Sequence, residues 1–341
     1  MEILRSGRVV VALLLLRLRH LLLRRARRLL SLVALRDALL SLLFLRHHLV
    51  PRSVPLGAGP SAPSLHLWIP SPLLRRLRPP RPALVLVHGF GGNAKWQWER
   101  QIGPLSRSFD LYVPDLLFFG RSKPGSESES ETPDSRSVAE QARCVAEAMA
   151  RLGVGRYAVV GISYGGFVAY RLAGEGAVER VVILSAGVCA GAEERGELAR
   201  REGRDVSEVL LPQRPEDLRT LLRRSMHRPP KWVPDFLLRD FIQVMYLDQR
   251  KERVELLKEL LEKGTGMDPL PVLTQETLIL WGDQDRVFPL NLAHKLQKHL
   301  GEKSRLEIIK DAGHALQLEK AAQVNRLIEQ FLLDANNCRS A

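Results

Sequence analysis

The chain of 341 residues holds only three cysteines, Cys144, Cys189 and Cys338, odd in number and widely spaced. No disulfide framework or zinc spacing can be drawn through them, which favours a reducing, intracellular setting. No glycine-rich phosphate loop is present, since Gly153-Val154-Gly155 reads as a turn before a strand. With no metal-ligand cluster and no dinucleotide fingerprint, neither a cofactor nor a metal is expected. Long apolar runs are missing as well. The longest uncharged run near the start covers residues 9–16 and is too short to span a bilayer. Acidic residues are nearly absent from residues 1–82, where Glu2 and Asp37 face fifteen arginines. This imbalance accounts for the entire net charge of +13, so residues 83–341 are neutral. A nucleic-acid groove needs a basic stripe on the folded body. None is there, and no nucleic-acid partner is expected.

What remains is ordinary globular material, 45% apolar and 26% charged, enough for a sizeable core. Residues 1–50 are rich in Leu and Arg. Their poverty in acids suits an organellar targeting peptide, although only Ser6, Ser31 and Ser41 supply serine. Leu for the interface and Arg for anionic headgroups suit a membrane-surface helix equally. A terminal extension without a role is the third reading. Residues 51–82 are Pro-, Ser- and Gly-rich and read as linker, with a possible first strand at 65–69.

From Ala83 the pattern is regular. Short apolar runs at 83–87, 111–113, 157–161, 181–184, 277–280 and 306–309 suit strands buried on both faces. Helical patterns at 137–152, 164–173, 291–300 and 320–333 lie between or after them. Strand–helix alternation predicts an α/β fold with a mostly parallel sheet. The core comprises 83–186 and 269–341. Residues 187–268 are helical, charged and too long for a structureless loop, and are expected to form a lid. The acidic repeat at 126–131 reads as a solvated loop, or as a phosphorylation tract.

Three segments carry chemistry. Gly161-Ile162-Ser163-Tyr164-Gly165-Gly166 follows a strand and opens a helix. In that setting G-x-S-x-G is a nucleophile elbow: a sharp turn lifts the Ser163 hydroxyl out of the sheet. It also leaves the Tyr164 N–H free at a helix N-terminus, where negative charge is favoured. His88-Gly89-Phe90-Gly91-Gly92 ends an earlier strand. The Phe90 N–H is the candidate second oxyanion donor, while His88 is expected to brace the loop. Downstream, Trp281-Gly282-Asp283-Gln284-Asp285 follows a strand and offers two acids. Asp283 sits where it would cap the turn, so Asp285 is the preferred partner of a histidine. His314 follows the next strand end, giving the order Ser, Asp, His.

These motifs, with Pro114-Asp115-Leu116-Leu117-Phe118-Phe119-Gly120-Arg121-Ser122, resemble the α/β-hydrolase superfamily over about residues 65–335. The chain is most similar to a plant branch whose members resemble monoacylglycerol lipases and meta-cleavage-product C–C hydrolases. The resemblance implies an α/β-hydrolase fold, a Ser163–His314–Asp285 triad and backbone donors at Phe90 and Tyr164. A serine at the elbow separates the chain from epoxide hydrolases and haloalkane dehalogenases, whose nucleophile there is aspartate. The expected activity is hydrolysis of an apolar acyl ester, of monoacylglycerol type, by way of an acyl-enzyme. Gly89, Phe118, Phe119, Phe241 and Met245 are the candidate pocket residues. Phe241 and Met245 lie in an apolar helical stripe that would also serve simply to pack the lid. The partners expected are a small ester or lipid and, through residues 1–50, a membrane surface. A C–C bond hydrolase using the same triad, or a hydrolase-fold receptor for a small ligand, are the alternatives.

Overall fold

Near-continuous apolar strands are stable only where both faces of a sheet are covered, and that rule builds this molecule. The computed structural model describes residues 31–59, 62–125, 136–203 and 205–334. Eight strands form one sheet: β1 (Leu49–Pro55), β2 (Ser64–Pro70), β3 (Ala83–Val87), β4 (Asp110–Pro114), β5 (Tyr157–Ile162), β6 (Val178–Leu184), β7 (Glu276–Gly282) and β8 (Ser304–Ile309). Their spatial order is β1-β2-β4-β3-β5-β6-β7-β8. β1 and β2 are antiparallel to each other, and β2 to β4; all other neighbours run parallel.

Successive residues of the central strands feed opposite layers. Val85, Val87, Val159, Val181, Ile183 and Ile279 enter one core. Leu84, Leu86, Val160, Val182, Leu278 and Leu280 enter the other. On the first face pack α4 (Val138–Arg151), α5 (Tyr164–Ala173) and α11 (Asn291–Leu300), through residues such as Val145, Phe167 and Leu296. On the second pack α3 (Ala94–Leu105), the short α12 (Leu316–Glu319) and α13 (Ala321–Leu333), through Trp98, Leu316 and Ile328. The connection after β3 leads to one side of the sheet and that after β5 to the other, so the boundary between β3 and β5 at the centre of the strand order is a topological switch point, where α/β sheets open a crevice at their carboxyl edge.

Three features depart from the expectations above. Residues 49–55 are a strand, not linker, because an edge position tolerates Pro51 and Pro55, which donate no ladder hydrogen bond. Within 70–82 lies the short α2 (Pro72–Arg76), started by proline. The segment 1–50 divides: residues 1–30 lie outside the described residues, but α1 (Leu32–Arg46) is a docked part of the body. Ser31 caps it by accepting the Ala34 N–H at 2.9 Å, and Val33, Leu40 and Phe44 are buried. Asp37 takes Lys95 Nζ at 2.6 Å, Trp96 Nε1 at 3.1 Å and Asn93 Nδ2 at 3.1 Å.

Between β6 and β7 stand α6 (Ala192–Glu202), α7 (Val206–Leu210), α8 (Pro215–Ser225), α9 (Asp235–Met245) and α10 (Arg250–Lys263). No strand interrupts them among the described residues. The acidic repeat 126–131 lies outside the described residues, as does Cys338.

Phe44 is fully buried, its ring 5.1 Å from that of Trp68. Phe44→Ala is expected to cost about 3–5 kcal/mol of unfolding free energy. Leu42→Ala, on the outer side of the same helix, should stay within about 0.5 kcal/mol. Urea unfolding of both variants checks this; equal losses would mean that α1 is not docked by its Phe44 face.

Candidate active site

The serine turn is set by backbone contacts that admit no side chain. Ser163 has φ 54 and ψ −123, a strained conformation for any residue with a Cβ. Its N–H donates to the Leu184 carbonyl at 2.9 Å, and its carbonyl accepts the Gly166 N–H at 2.8 Å. A Cβ on Gly161 would lie 2.1 Å from the Gly165 carbonyl oxygen. One on Gly165 would lie 2.3 Å from the Val87 carbonyl oxygen, and one on Gly166 would lie 2.4 Å from the Ala186 Cβ. The glycines therefore let α5 lie directly against β3, β5 and the segment following β6. Tyr164 opens α5, so its N–H has no preceding turn to bond.

The loop after β3 touches this turn. A Cβ on Gly89 would stand 3.0 Å from both the Ile162 carbonyl oxygen and the Ser163 Cβ. Gln97 grips Gly89 from both sides, accepting its N–H at 2.8 Å and donating to its carbonyl at 2.9 Å. Phe90 follows in this fixed loop. Its ring packs edge-on against Tyr164 at 4.7 Å and Phe119 at 5.2 Å.

His88, expected as a brace, is fully buried. Its Nε2 accepts the Leu116 N–H at 3.0 Å, so Nδ1 carries the proton and donates to the Gly89 carbonyl at 2.7 Å. A second proton would face another N–H. Burial lowers the pKa of His88 below 6.5, outweighing the opposing pull of Asp115.

Asp285 and His314 stand beyond the ends of β7 and β8. His314 Nδ1 lies 2.9 Å from Asp285 Oδ2 and donates to it, which leaves Nε2 as an acceptor. The other carboxylate oxygen accepts the N–H groups of Val287 and Phe288 at 2.8 and 2.9 Å. The Asp285 side chain is completely buried and the His314 side chain nearly so. A Cβ on Gly282 would lie 2.3 Å from the carbonyls of Ala312 and Gly313, so the two loops press backbone on backbone. Asp283 instead accepts the Ala312 N–H, at 3.4 Å, and Asp285 is the acid that meets His314. Ser163, Asp285, His314 and Phe90 all follow carboxyl ends of parallel strands, on one edge of the sheet.

Of the pocket candidates, Phe119 joins the Phe90–Tyr164 cluster and also meets His88 at 5.1 Å. Met245 is buried, its Sδ 3.9 Å from where a Cβ on Gly92 would point. Phe241 is half-buried against Trp96 at 5.1 Å and Tyr246 at 6.0 Å. Phe118 is buried with φ 70, its carbonyl accepting Arg253 Nε at 2.7 Å.

Arg253, Asp115 and Gln97 were not foreseen as supports. Arg253 is buried, donates to the Met245 carbonyl at 2.5 Å and lies 4.5 Å over the Phe119 ring. Desolvation brings its pKa down to about 10, so it stays charged at neutral pH. Asp115 accepts the N–H groups of Ala94 and Arg121, both at 3.0 Å, and meets His66 Nδ1 at 3.0 Å. Burial works against its charge, but these hydrogen bonds, led by that of His66, bring its pKa below the ordinary value. Among the described residues no three His, Cys, Asp or Glu side chains cluster as a metal site.

The family described as alpha/beta hydrolase fold matches residues 82–321. The dihydrolipoyllysine-residue acetyltransferase component of the acetoin cleaving system of Cupriavidus necator is 28% identical, over 73% of this chain and 63% of its own. The chain thus spans under two thirds of that protein. Monoacylglycerol lipase ABHD6 of Rattus norvegicus is 24% identical, over 75% of this chain and 77% of its own. The 2-hydroxy-6-oxo-6-phenylhexa-2,4-dienoate hydrolase of Comamonas testosteroni is 27% identical, over 73% of this chain and 87% of its own.

Because the folded state holds His88 neutral and the unfolded chain protonates it near pH 6.5, stability is fully present above that pH. It is lost as pH falls below 6.5. His88→Asn, which keeps a donor in the place of Nδ1, should flatten the slope of unfolding free energy against pH below 6.5. Unchanged slopes in denaturant titrations would contradict a buried neutral imidazole.

Proposed function

Since the chain belongs to the alpha/beta hydrolase fold family, we propose that it hydrolyses carboxylic esters with Ser163 as nucleophile. The observation that carries this reading is the Asp285–His314 pair on the same sheet edge as a serine held at positive φ. In this mechanism His314 Nε2 takes the Ser163 proton as Oγ attacks the acyl carbonyl. Asp285, unable to rotate because both its oxygens are engaged, fixes the tautomer and stabilises the imidazolium. The oxyanion settles on the N–H groups of Phe90 and Tyr164. His314 then protonates the leaving alcohol, and an acyl-enzyme remains. Water, deprotonated by His314, attacks it and releases the acid and free Ser163.

The aromatic cluster of Phe90, Phe119 and Tyr164 favours an apolar acyl group, and the curated lipase relative favours a glycerol ester. Residues 187–268 act as the lid in this reading, with Met245 beside Gly92 and Phe241 on Trp96 of the following helix. The relative from Comamonas testosteroni is named for the hydrolysis of 2-hydroxy-6-oxo-6-phenylhexa-2,4-dienoate, so a vinylogous diketone, cleaved at a C–C bond, is the second substrate to assay.

Ester turnover measured against acyl length is expected to peak at a medium or long chain. Ser163→Ala and His314→Ala should each lower kcat by about 10⁴–10⁶, and Asp285→Asn by about 10⁴, with folding intact. Retained turnover in Ser163→Ala and His314→Ala would refute the assignment. Turnover of the diketone alone would replace the ester reading.

A further inference from the structure

A helix that is apolar all round belongs between two apolar surroundings. α1 is such a helix, yet only one side of it meets protein. Val33, Leu40 and Phe44 face the core, and its single acid, Asp37, is turned inward onto Lys95, Trp96 and Asn93. The outer side carries Leu32, Leu35, Leu39, Leu42 and Leu45, each between 45 and 60% exposed. The first four recur at helical spacing and form a continuous stripe. α2 is near: the Ser71 N–H just before it donates to the carbonyl of His48, two residues past α1, at 2.8 Å. Leu73 and Leu77 there are 68 and 73% exposed. Six of the large exposed apolar residues among the described residues thus lie on these two neighbouring helices, and Leu77 follows directly after α2. Apolar surface gathered this way marks an interaction site.

Charge says which partner. The exposed positions of α1 are otherwise Ala38, Arg46 and Arg36, the last paired with Glu99 at 2.8 Å, and α2 adds Arg76 and Arg75, the last paired with Asp110 at 3.0 Å. The thirty residues that run into α1 contain eight arginines and one acid, Glu2. Leucines ringed and preceded by arginine match a bilayer with anionic headgroups: leucine enters the interface and guanidinium meets phosphate. No helix among the described residues is long and apolar enough to cross a membrane. α1 is also fastened along its inner side, including its Val33 N–H to Asp240 Oδ2 at 3.0 Å. Contact is therefore in the plane of the surface.

We propose that the outer leucine face of α1, continued by Leu73 and Leu77, docks the folded body onto an anionic lipid surface. This goes beyond the ester-hydrolase reading and does not depend on it, since binding is read without turnover.

The test is co-sedimentation of the full chain with phosphatidylcholine vesicles, with and without phosphatidylglycerol. The wild type should bind the mixed vesicles. The triple variant Leu35→Glu, Leu39→Glu, Leu42→Glu should bind about a hundredfold more weakly, with an unchanged circular dichroism spectrum. A variant that binds as tightly as the wild type would overturn the proposal, because residues 1–30 alone would then carry the contact. A wild type that ignores vesicles but dimerises, with the variant monomeric, would overturn it in favour of a second copy. Equal binding of the wild type to vesicles without phosphatidylglycerol would overturn the anionic requirement. Independently of the triple variant's folding, Leu39→Trp should gain blue-shifted emission on adding mixed vesicles; an emission unchanged from that in buffer would contradict insertion.

Discussion

The structure depends on the close approach of two backbones at the elbow. Ser163 occupies its strained conformation only because Gly161, Gly165 and Gly166 let α5 sink against the sheet, with spacings that no Cβ would survive. Strain of this kind costs of order 1–3 kcal/mol and persists only where the surroundings over-determine it. Here they do. The strands on either side of β5 are buried on both faces, and Gly89 abuts Ser163 from the next loop. The sheet is thus the support that holds one residue in an unfavourable backbone conformation, the one the proposed nucleophile requires.

Around that contact runs a second layer of buried polar groups, each satisfied locally. Gln97 fixes Gly89, His88 links Gly89 to Leu116, and Asp115 gathers Ala94, Arg121 and His66. Arg253 reaches from α10 to the Phe118 carbonyl and so ties the helical insertion to the loop after β4. Buried charges unpaired would be very costly. Hydrogen-bonded as they are, they set loop positions that apolar packing alone would leave loose.

Much of this was legible in the residues. β3 to β8 announced themselves because burial on both faces writes an apolar run, and α4, α11 and α13 because one-sided burial writes a period; α3, between β3 and β4, was not among the helices expected. β1 was not legible: Pro51 and Pro55 read as linker until its place at the sheet edge is known. The docking of α1 was hidden for the opposite reason, since leucine on every side gives no period to read. Between Asp283 and Asp285 the sequence offers only turn logic, whereas the structure puts Asp285 against His314. Arg253 sits in a helix with many charges and carries no local mark of burial. Its partners are main-chain carbonyls of Phe118 and Met245, which have no sequence signature.

The central claim is that the strain at the elbow serves a nucleophile. Reaction with a fluorophosphonate followed by peptide mass analysis tests it most directly. The account predicts a single phosphonyl adduct on the peptide containing Ser163, formed at neutral pH. An adduct on any other residue, or none on folded protein, would contradict it.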